Sequence, residues 1–591
     1  MSIQSVRHKP SDNPRRCLST GSHSLFFPWW FPALRSVTKQ GHVSDAAGLV
    51  TLKTLDTVLA YHQRTKHQFQ GYAAGPDGLD WANQPAAFRE FSGSPQVSLP
   101  LLTDADQPGY VDLYTPGKVL AQPLTMTSIA ALLELSLGLS AWKQYGDSRW
   151  ALRCNPSSGN LHPTEAYIVL DDIAGTASGV YHYLSRDHLL EQRCTFASAK
   201  PRKLLPANTL LLGLSSIHWR EAWKYGERAY RYCQHDIGHA MAAVCYAAAR
   251  LGWQVRLLEH WGDDQTATLL GLDRTQDFGR AEAEHADLML QITAGPIAAE
   301  PVSPDNLQKA AFSGHWQGEA NVLSADHSHQ WPIIDGVADA CRKAPTAPEA
   351  PWQAPTLPAP LPSSCTLTAD TLFRQRRSAQ AFDGETVISR DSFFRMLDMT
   401  LPRTRAAPWD TIDWTPCVHL LLFVHRVDGL TPGLYLLLRN PASEDRLKAA
   451  FNPDFSWQSV ADAPAHLPLF QLLTADAREA ARTLSCHQEI AADGAFSLGM
   501  LAEHRDTLEQ APWQYRRLFW ETGMIGQVLY LEAEAAGVRG TGIGCFFDDG
   551  VHDMLGLQNN DLQSLYHFTV GGPLTDDRLQ TLPPYAHLQG P

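Results

Sequence analysis

Residues 236–251 read DIGHAMAAVCYAAARL, and residues 521–536, which lie 285 positions further along the chain, read ETGMIGQVLYLEAEAA. Both segments are apolar on nearly all sides, which predicts helices that are buried on nearly all sides. A shift of 285 positions gives ten identities over the 43 positions 230–272, against about three expected from ordinary residue frequencies. The sequence therefore predicts a duplicated unit whose two long helices pack against each other or the opposite half.

A pair of strands rich in β-branched and aromatic residues precedes each long helix. The pairs are 167–170 with 179–183, and 420–424 with 433–436. Helices around a mainly antiparallel sheet fit this pattern better than regular βαβ alternation does. The predicted fold is therefore α+β, with two tandem domains that form a pseudo-dimer within one chain.

Proline content marks the predicted boundary between the halves. Seven prolines fall within 345–362, which favours an extended linker with a reach of roughly 55 Å. We predict a poorly ordered tail over 1–45, a first domain over 46–300, a linker over 301–364 and a second domain over 365–591. The apolar run 26–32 is too short and too rich in proline to span a membrane.

Composition excludes several classes of protein. The 591 residues are 44% hydrophobic and 19% charged, which is ordinary for a globular protein, and no apolar run is long enough for a membrane span. The net charge of −14 disfavours nucleic acid and anionic lipid as partners. The ten cysteines include no C-x-x-C pair, as expected of reduced thiols in a cytoplasmic protein.

Two motifs of the second half could bind a ligand. Arg376, Arg377 and Ser378 precede a predicted helix over 391–397 and could hold a phosphate, although a solvated basic turn is the preferred explanation when the motif is taken alone. The glycines of 540–544 would let backbone N–H groups approach a flat ligand closely. Taken alone, that segment is more typical of a glycine-rich connection than of a dinucleotide site.

Two motifs of the first half could serve a site. Residues 155–165 predict a rigid turn with hydroxyl and amide donors, or an ordinary Asx or Ser turn, directly before a strand. Residues 235–239 read HDIGH, in which two histidines and a carboxylate have the spacing that zinc hydrolases use, with Asp in place of Glu. The following helix is a packing element, however, and no third ligand is evident. We predict no metal site.

In this order, PSSGNLHP at 156–163, KYGERAYRY at 224–232, HDIGH at 235–239 and LGL at 270–272 resemble the flavin-dependent nitroreductase superfamily. The resemblance is specifically to its SagB/ThcOx-type dehydrogenases, which YHQRTKH at 61–67 and Leu99-Pro100 also resemble. The second half is similar to the broader superfamily through RRS at 376–378 and GTGIG at 540–544. The resemblance covers nearly everything except the tail and the linker.

The resemblance implies a cofactor, FMN, bound where two domains meet. By position, Arg376, Arg377 and Ser378 would hold its phosphate and ribityl oxygens, and the backbone of Gly542, Ile543 and Gly544 would face flavin N5. Residues of the other domain would cover the ring, namely Pro156, Ser157, Ser158 and Asn160. Gln380 stands where the family has a second arginine, and this difference lowers the affinity for phosphate that the resemblance implies.

The complementary site lacks these motifs. The corresponding positions hold Arg64-Thr65-Lys66, residues 415–418 (TPCV) and residues 254–259. We therefore predict one competent flavin site and one degenerate site per chain.

The resemblance also implies catalytic residues. The Lys-Tyr pair of azoline-oxidising members matches Lys224 and Tyr225, whereas the second half has Glu509 and Gln510 at the aligned positions. A lysine whose pKa is lowered by burial could accept a proton from carbon, with the phenol stabilising charge. A helix-start lysine with a packing tyrosine is the simpler structural alternative.

Three functions remain open. The first is an FMN-dependent dehydrogenase that oxidises an azoline-like ring or a related C–N bond in a modified peptide or small natural product. The second is an NAD(P)H-dependent reductase of nitroaromatics or quinones, and the third is a non-catalytic flavin-binding or scaffold subunit of a peptide-modification complex. Because one chain supplies both halves, we expect a monomer in preference to a homodimer.

Overall fold

A computed structural model describes residues 44–103, 107–173, 175–197, 203–297, 300–348 and 352–588. The apolar run 26–32, and nearly all of the predicted tail 1–45, lie outside these ranges. Among the described residues, none of the helices combines the length and the hydropathy that a bilayer span requires.

The first half contains helices of very different lengths. In chain order they are α1 (Ser44–Arg64), α2 (Met126–Ser136), α3 (His218–Tyr225), α4 (Ala229–Arg250), α5 (Asp263–Leu270), α6 (Thr275–Phe278), α7 (Pro304–Phe312) and α8 (Pro332–Ala340). Its strands are β1 (Phe91–Ser92), β2 (Gln96–Ser98), β3 (Leu139–Tyr145), β4 (Ser148–Arg153), β5 (Thr164–Leu170), β6 (Gly179–Leu184), β7 (Leu189–Thr195), β8 (Thr209–Ser216), β9 (Gln254–Leu257), β10 (His285–Thr293), β11 (His315–Trp316) and β12 (Glu319–Ala320).

The second half repeats this mixture. Its helices are α9 (Ala369–Gln375), α10 (Arg390–Met399), α11 (Glu444–Ala450), α12 (Arg478–Leu484), α13 (Ile490–Asp493), α14 (Arg505–Gln510), α15 (Gln514–Ala535) and α16 (Asp548–Leu555). Its strands are β13 (Val418–Val424), β14 (Gly433–Leu437), β15 (Gln458–Ser459), β16 (Leu469–Thr474), β17 (Phe496–Glu503), β18 (Arg539–Ile543), β19 (Leu562–Gly571) and β20 (Gln580–Leu582).

Each half has its own antiparallel sheet, and the two sheets share the order of six strands but differ in the edge strand, which is β11 in the first and β15 in the second. The first sheet runs β11-β7-β6-β5-β8-β10-β9, with β2 also on β7, and the second runs β15-β16-β14-β13-β17-β19-β18. The predicted strand pairs are present, with Tyr167 opposite His182 and Leu422 opposite Tyr435. The α+β class and the tandem arrangement are therefore confirmed.

The repeat of the sequence is also a repeat of the structure. A shift of 285 positions takes the first and last residues of α4 onto the first and last residues of α15. The same shift takes the ends of α5 onto the ends of α16. Gly271 and Gly556 end α5 and α16 in the left-handed conformation, with φ of 73° and 75°. The long helices begin earlier than the predicted 236 and 521, because their polar first turns are buried by the opposite half.

Helices α4 and α15 cross at a pair of glycines. A Cβ atom on Gly238 would lie 2.2 Å from the carbonyl oxygen of Trp520, and one on Gly523 would lie 2.2 Å from that of His235. Only glycine permits backbones to approach so closely. The largest apolar cluster contains residues from both halves, so the two domains share one core.

Two buried ion pairs repeat across this crossing. Arg231 Nη1 lies 2.7 Å from Asp548 Oδ1, and Arg516 Nη2 lies 2.9 Å from Asp263 Oδ2. Each arginine is on the long helix of one half and each aspartate begins a short helix of the other half. The repeated Tyr-Arg and Asp-Asp pairs of the sequence therefore mark a pseudo-twofold interface.

The segment predicted as linker contains ordered elements in its first part. Helices α7 and α8 and strands β11 and β12 lie there, and β11 extends the first sheet. Directly beyond Cys341 the chain is still bound to the first half, where Asp263 N donates to the Lys343 carbonyl and Thr346 N to the His260 carbonyl. From Trp352 it contacts the second half, where Trp352 N donates to Asp413 O and Leu361 N to Asp398 Oδ2, both at 2.9 Å. The domain boundaries themselves stay a prediction.

A second connection runs from the end of the second half back to the first. Strand β20 pairs with β3, and β3 pairs with β4, to form a small sheet of its own. Next to it, the Leu139 backbone N–H donates to Tyr585 Oη at 2.8 Å, and Trp142 Nε1 donates to the Pro584 carbonyl at 2.8 Å. Residues 580–585 therefore brace the β3–β4 hairpin beside the candidate site.

Candidate functional site

The serine-rich turn between β4 and β5 is held by its own side chains. Ser157 Oγ accepts a hydrogen bond from His162 N at 2.8 Å, and Asn160 Nδ2 donates to the Ala151 carbonyl at 2.9 Å. Gly159 has a φ of 58°, and Asn160 follows at 60°. Pro156 is buried, whereas Ser157, Ser158 and Asn160 are half-buried. The turn is therefore a rigid feature at the edge of the first half.

The arginine motif of the second half lies directly beside this turn. Arg376 ends α9, its Nε donates to the Cys154 carbonyl at 3.0 Å, and its Nη2 donates to the Arg153 carbonyl at 3.2 Å. Cys154 closely precedes Pro156 in the chain. The two predicted parts of the site, which are far apart in sequence, thus meet across the interface.

The arginine motif is electropositive and has unused donor capacity. Arg376 Nη1 is buried and has no hydrogen-bond partner among the described residues. Burial, followed by repulsion from Arg376, lowers the pKa of Arg377 to about 10. Lys143 and Arg539 add further positive charge, and Glu534 Oε1 lies 3.3 Å from Arg539 Nε. This donor set fits a phosphate group, because an anion would satisfy the buried guanidinium and relieve the repulsion.

The glycine-rich segment is a strand, β18, and not the connection that its composition suggests. A Cβ atom on Gly542 would lie 1.9 Å from Tyr566 Oη, and one on Gly544 would lie 2.2 Å from Tyr232 Cε1. Both glycines are therefore needed for tyrosine rings to pack on the strand. The side chain of Ile543, between them, is buried.

Tyr530 links this strand to the arginine motif. Gly542 N donates to Tyr530 Oη at 2.9 Å, and Tyr530 Oη is also hydrogen-bonded to Ser378 Oγ at 2.8 Å. The predicted cofactor-binding residues of the second half thus lie together, and the Tyr232 hydroxyl, which donates to the Gly544 carbonyl at 3.1 Å, ties them to α4 of the first half.

Lys224 and Tyr225 point at the serine-rich turn. Lys224 is in the last turn of α3, not at a helix start, and Gly226 ends that helix with a φ of 54°. A Cβ atom on Gly159 would lie 2.9 Å from Lys224 Nζ and 2.5 Å from Tyr225 Oη. Burial lowers the pKa of Lys224, and burial together with Glu221 raises the pKa of Tyr225 well above its usual value.

Two buried acids beside this pair were not anticipated from the sequence. Asp236 Oδ1 accepts hydrogen bonds from Ser158 N and Ser158 Oγ, both at 3.1 Å, and burial raises its pKa to about 7. Glu221 is fully buried, and neither of its carboxylate oxygens has a hydrogen-bond partner in the described part of the chain. Burial and Asp236 raise the pKa of Glu221.

The HDIGH motif supplies this acid, and its histidines point elsewhere. His235 Nδ1 is hydrogen-bonded to Thr522 Oγ1 at 2.9 Å, and His239 Nε2 to Tyr566 Oη at 3.2 Å. Both histidines contact Tyr566 of the second half, whereas the carboxylate of Asp236 binds the serine-rich turn.

Comparison with known proteins assigns the family. A model of the Nitroreductase family matches residues 118–280 and 430–572, which together make up just over half of the chain. The chain belongs to the nitroreductase family. One match falls in each half, which agrees with the tandem organisation, and membership of the family makes the protein an oxidoreductase.

Individual relatives match parts of this chain. The trifolitoxin-processing protein TfxB of Rhizobium leguminosarum bv. trifolii is 39% identical over 110 residues, which are 16% of this chain and 29% of TfxB. A protein of Methanocaldococcus jannaschii that carries the name nitroreductase is 25% identical over 139 residues, 22% of this chain and 67% of its own. The chain thus spans less than a third of TfxB.

A solved structure supports the whole fold. The crystal structure of an Anabaena variabilis ATCC 29413 protein, described as a nitroreductase, superposes with a TM-score of 0.61 at 24% identity. The superposition covers 88% of this chain and 99% of the other. Nearly the entire second protein therefore shares the tandem fold.

The position that the repeat pairs with the candidate site is filled by side chains of the protein itself. Arg517 Nη1 lies 3.0 Å from Glu259 Oε1, at the positions that correspond to Tyr232 and Gly544 in the repeat. The Arg517 guanidinium also packs on the rings of Trp414 and Trp513.

Of the other motif positions predicted for this second site, residues 417 and 418 lie near Arg517, and their backbone N–H groups donate to Glu521. Arg64 and Lys66 do not lie there. They are paired with Glu227 and Asp549, at 2.6 and 2.7 Å, on the side of Gly544. A single competent flavin site per chain stays a prediction that these contacts favour.

Proposed function

We propose that the chain is an FMN-dependent dehydrogenase that oxidises an azoline-like ring, or a related C–N bond, in a modified peptide or small natural product. The observation that carries the proposal is the approach of Lys224 Nζ and Tyr225 Oη to Gly159, beside the Arg376 contact with Cys154. The name of TfxB, a toxin-processing protein, supports a peptide substrate.

The residues at the interface fit FMN at its phosphate end. Arg376, Arg377 and Ser378 would hold the phosphate and ribityl oxygens, and Gly542 to Gly544 would lie along the ring from the second half. Pro156, Ser157, Ser158 and Asn160 would cover it from the first half. FMN, when bound, takes up and returns two electrons with their protons.

Lys224 would accept a proton from the substrate, and Tyr225 would donate a hydrogen bond to it. The lowered pKa of Lys224 increases the fraction of neutral amine, so that Nζ can accept the proton that a C–H bond releases. Tyr225 stays protonated because its pKa is raised, and its hydroxyl can donate to a developing negative charge. Gly159 is required at this point of the turn because a side chain would collide with both groups.

Purified protein tests the proposal directly. We expect a flavin absorption spectrum with about one FMN per chain, and oxidation of an azoline-containing peptide with dioxygen as acceptor. Lys224→Ala should lower turnover by about 10²-fold or more with the flavin content unchanged, because a positioned base contributes this much. Lys309→Ala, which removes an exposed lysine of α7, is the matched control and should leave turnover unchanged.

The same preparation separates the alternatives. Rapid bleaching of the flavin by NAD(P)H without oxygen, together with no oxidation of the azoline peptide, would establish a reductase. Two FMN per chain would contradict the single site. Wild-type turnover in Lys224→Ala would show that Lys224 and Tyr225 serve only in packing. A flavin-free protein that a modification complex still requires would indicate a scaffold subunit.

A further inference from the structure

Two cysteines from separate segments of the second half lie together at the edge of the candidate site. Cys486 is in the turn after α12, and Cys545 follows β18 and the glycine motif directly. The two segments are joined by a backbone hydrogen bond from Phe547 N to the Leu484 carbonyl at 2.8 Å. Gln488 Nε2 bridges them by donating to the carbonyls of Ser485, at 2.8 Å, and Cys545, at 3.1 Å.

The thiols contact each other, and a histidine contacts one of them. Cys486 and Cys545 lie close enough to interact with each other, and His67 also interacts with Cys545. His67 Nδ1 accepts from the Ala73 backbone N–H at 2.9 Å, so in the neutral ring Nε2 carries the proton and is the donor available to sulfur. Cys545 thus lies beside a thiol and an imidazole N–H, and such neighbours stabilise a thiolate.

Cys545 differs from the other described cysteines. Interactions with Cys486 and then with His67 lower the pKa of Cys545, whereas burial raises the pKa of Cys154, Cys194 and Cys341. Cys545 and Cys486 are also half-buried, so a small reagent can reach them. All cysteines in the described part of the chain are free thiols.

We propose that Cys545 and Cys486 form a peroxide-reactive dithiol that closes to a disulfide. The Cys545 thiolate attacks one oxygen of hydrogen peroxide, the O–O bond breaks, and a sulfenic acid and hydroxide form. The Cys486 thiol then attacks the sulfenic sulfur, the S–O bond breaks, and a disulfide and water form. In total, two thiols are oxidised while one peroxide is reduced to two waters.

The position of the pair suggests where the peroxide originates. Cys545 follows Gly544, whose carbonyl accepts from Tyr232, and the Tyr232 ring lies 4.5 Å from that of Tyr225. Dioxygen that accepts two electrons at this site would leave as hydrogen peroxide beside the thiols. This origin rests on the proposed function, whereas the thiol reaction does not, since it needs only added peroxide.

Thiol counting on the full chain tests the proposal. The reduced protein is mixed with one equivalent of hydrogen peroxide, and free thiols are counted after denaturation at successive times. We expect two thiols to disappear and peptide mapping to find a Cys486–Cys545 disulfide. The reaction should be at least about tenfold faster than oxidation of Cys365, which is half-buried but has a pKa raised by burial.

Variants distinguish the two roles. In Cys486→Ser the reaction should stop at a sulfenic acid on Cys545, which dimedone traps. In Cys545→Ser the fast phase of thiol loss should be absent, and Cys365→Ser should behave as wild type. The proposal would be overturned if Cys545→Ser were still oxidised rapidly or if the disulfide mapped to other cysteines. It would also be overturned if Cys545 were oxidised no faster than Cys365. A flavin-free preparation should give the same result, so failure of the proposed dehydrogenase activity would be seen separately.

Discussion

Three ionisable side chains at adjacent turns share one buried region. Lys224, Glu221 and Asp236 all lie at or behind the serine-rich turn, and burial opposes the charged form of each. A low-dielectric site with several titratable groups whose pKa values move toward neutrality is typical of proton-transfer chemistry. The turn itself supplies the hydrogen bonds that keep Asp236 in place.

Asp236→Asn should change how stability depends on pH. The folded-state pKa of about 7 is above the ordinary 3.8, so the unfolded chain loses the proton first as pH rises. The stabilisation from this group is complete below about pH 4 and is lost as pH rises through 7. We expect the variant to lose less stability than wild type between pH 5 and 8, by roughly 2–4 kcal/mol, in denaturant titrations at each pH.

The amide keeps an acceptor for Ser158, so the turn should persist in this variant. Ser313→Ala, whose hydroxyl bonds only within the end of α7, is a suitable control and should retain the wild-type pH dependence. If the free energy of unfolding changed with pH in the same way in Asp236→Asn and in wild type, Asp236 would be ionised throughout this pH range.

Single residues were the part of the site that sequence predicted least completely. The serine-rich turn, Arg376 and Lys224 were found because each belongs to a contiguous motif. Asp236 was noticed only within a metal-like spacing, since sequence does not show which neighbour a helical side chain faces. Cys486 and Cys545 share no short spacing, and only the fold brings them together.

At the scale of elements, close approach of backbones and rings decides where glycine occurs. Gly238 and Gly523 permit the α4–α15 crossing, while Gly542 and Gly544 admit tyrosine rings to β18. The helices could be predicted because their apolar residues are continuous. Strand β18 could not, because glycine is a poor strand former and its packing partner, Tyr566, comes from a different strand.

Gly238→Ala should destabilise the whole protein. The new Cβ atom would lie 2.2 Å from the Trp520 carbonyl, so the helices must separate or shift. We expect a loss of about 1–3 kcal/mol in the free energy of unfolding, measured by denaturant titration. Gly336→Ala in α8 is the matched control, because its Cβ atom would meet nothing within 4 Å.

The control substitution should be neutral or slightly stabilising, since alanine favours the helix over glycine. Equal effects of the two substitutions would contradict the close crossing of α4 and α15.

At the scale of the whole molecule, the halves are joined by features that a separate domain could not satisfy. Arg231 and Arg516 each reach an aspartate of the opposite half from within a shared core. The repeat in the sequence predicted this pseudo-dimer. It could not predict that ordered elements would occupy residues 304–340, because their short helices carry little periodic signal. A monomeric state in solution stays a prediction.

Arg516→Ala should weaken the interface strongly. It leaves Asp263 without its arginine and Asp287 without a nearby positive charge, in a region where both are largely buried. We expect a loss of about 3–5 kcal/mol in thermal or denaturant unfolding, with both halves unfolding together. Arg478→Ala breaks a surface pair with Asp476 and should leave stability unchanged. Independent melting of the two halves would contradict a shared core.

The small sheet formed by β20, β3 and β4 has a consequence for biosynthesis. The β3–β4 hairpin is complete at Arg153, yet its partner Gln580–Leu582 is translated only after nearly the whole second half. At ordinary elongation rates this delay is on the order of a minute. Because Ser140 of β3 also binds Arg377, the nascent first half waits on the ribosome with this edge of the sheet unpaired, and the candidate site can be completed only after translation of the second half.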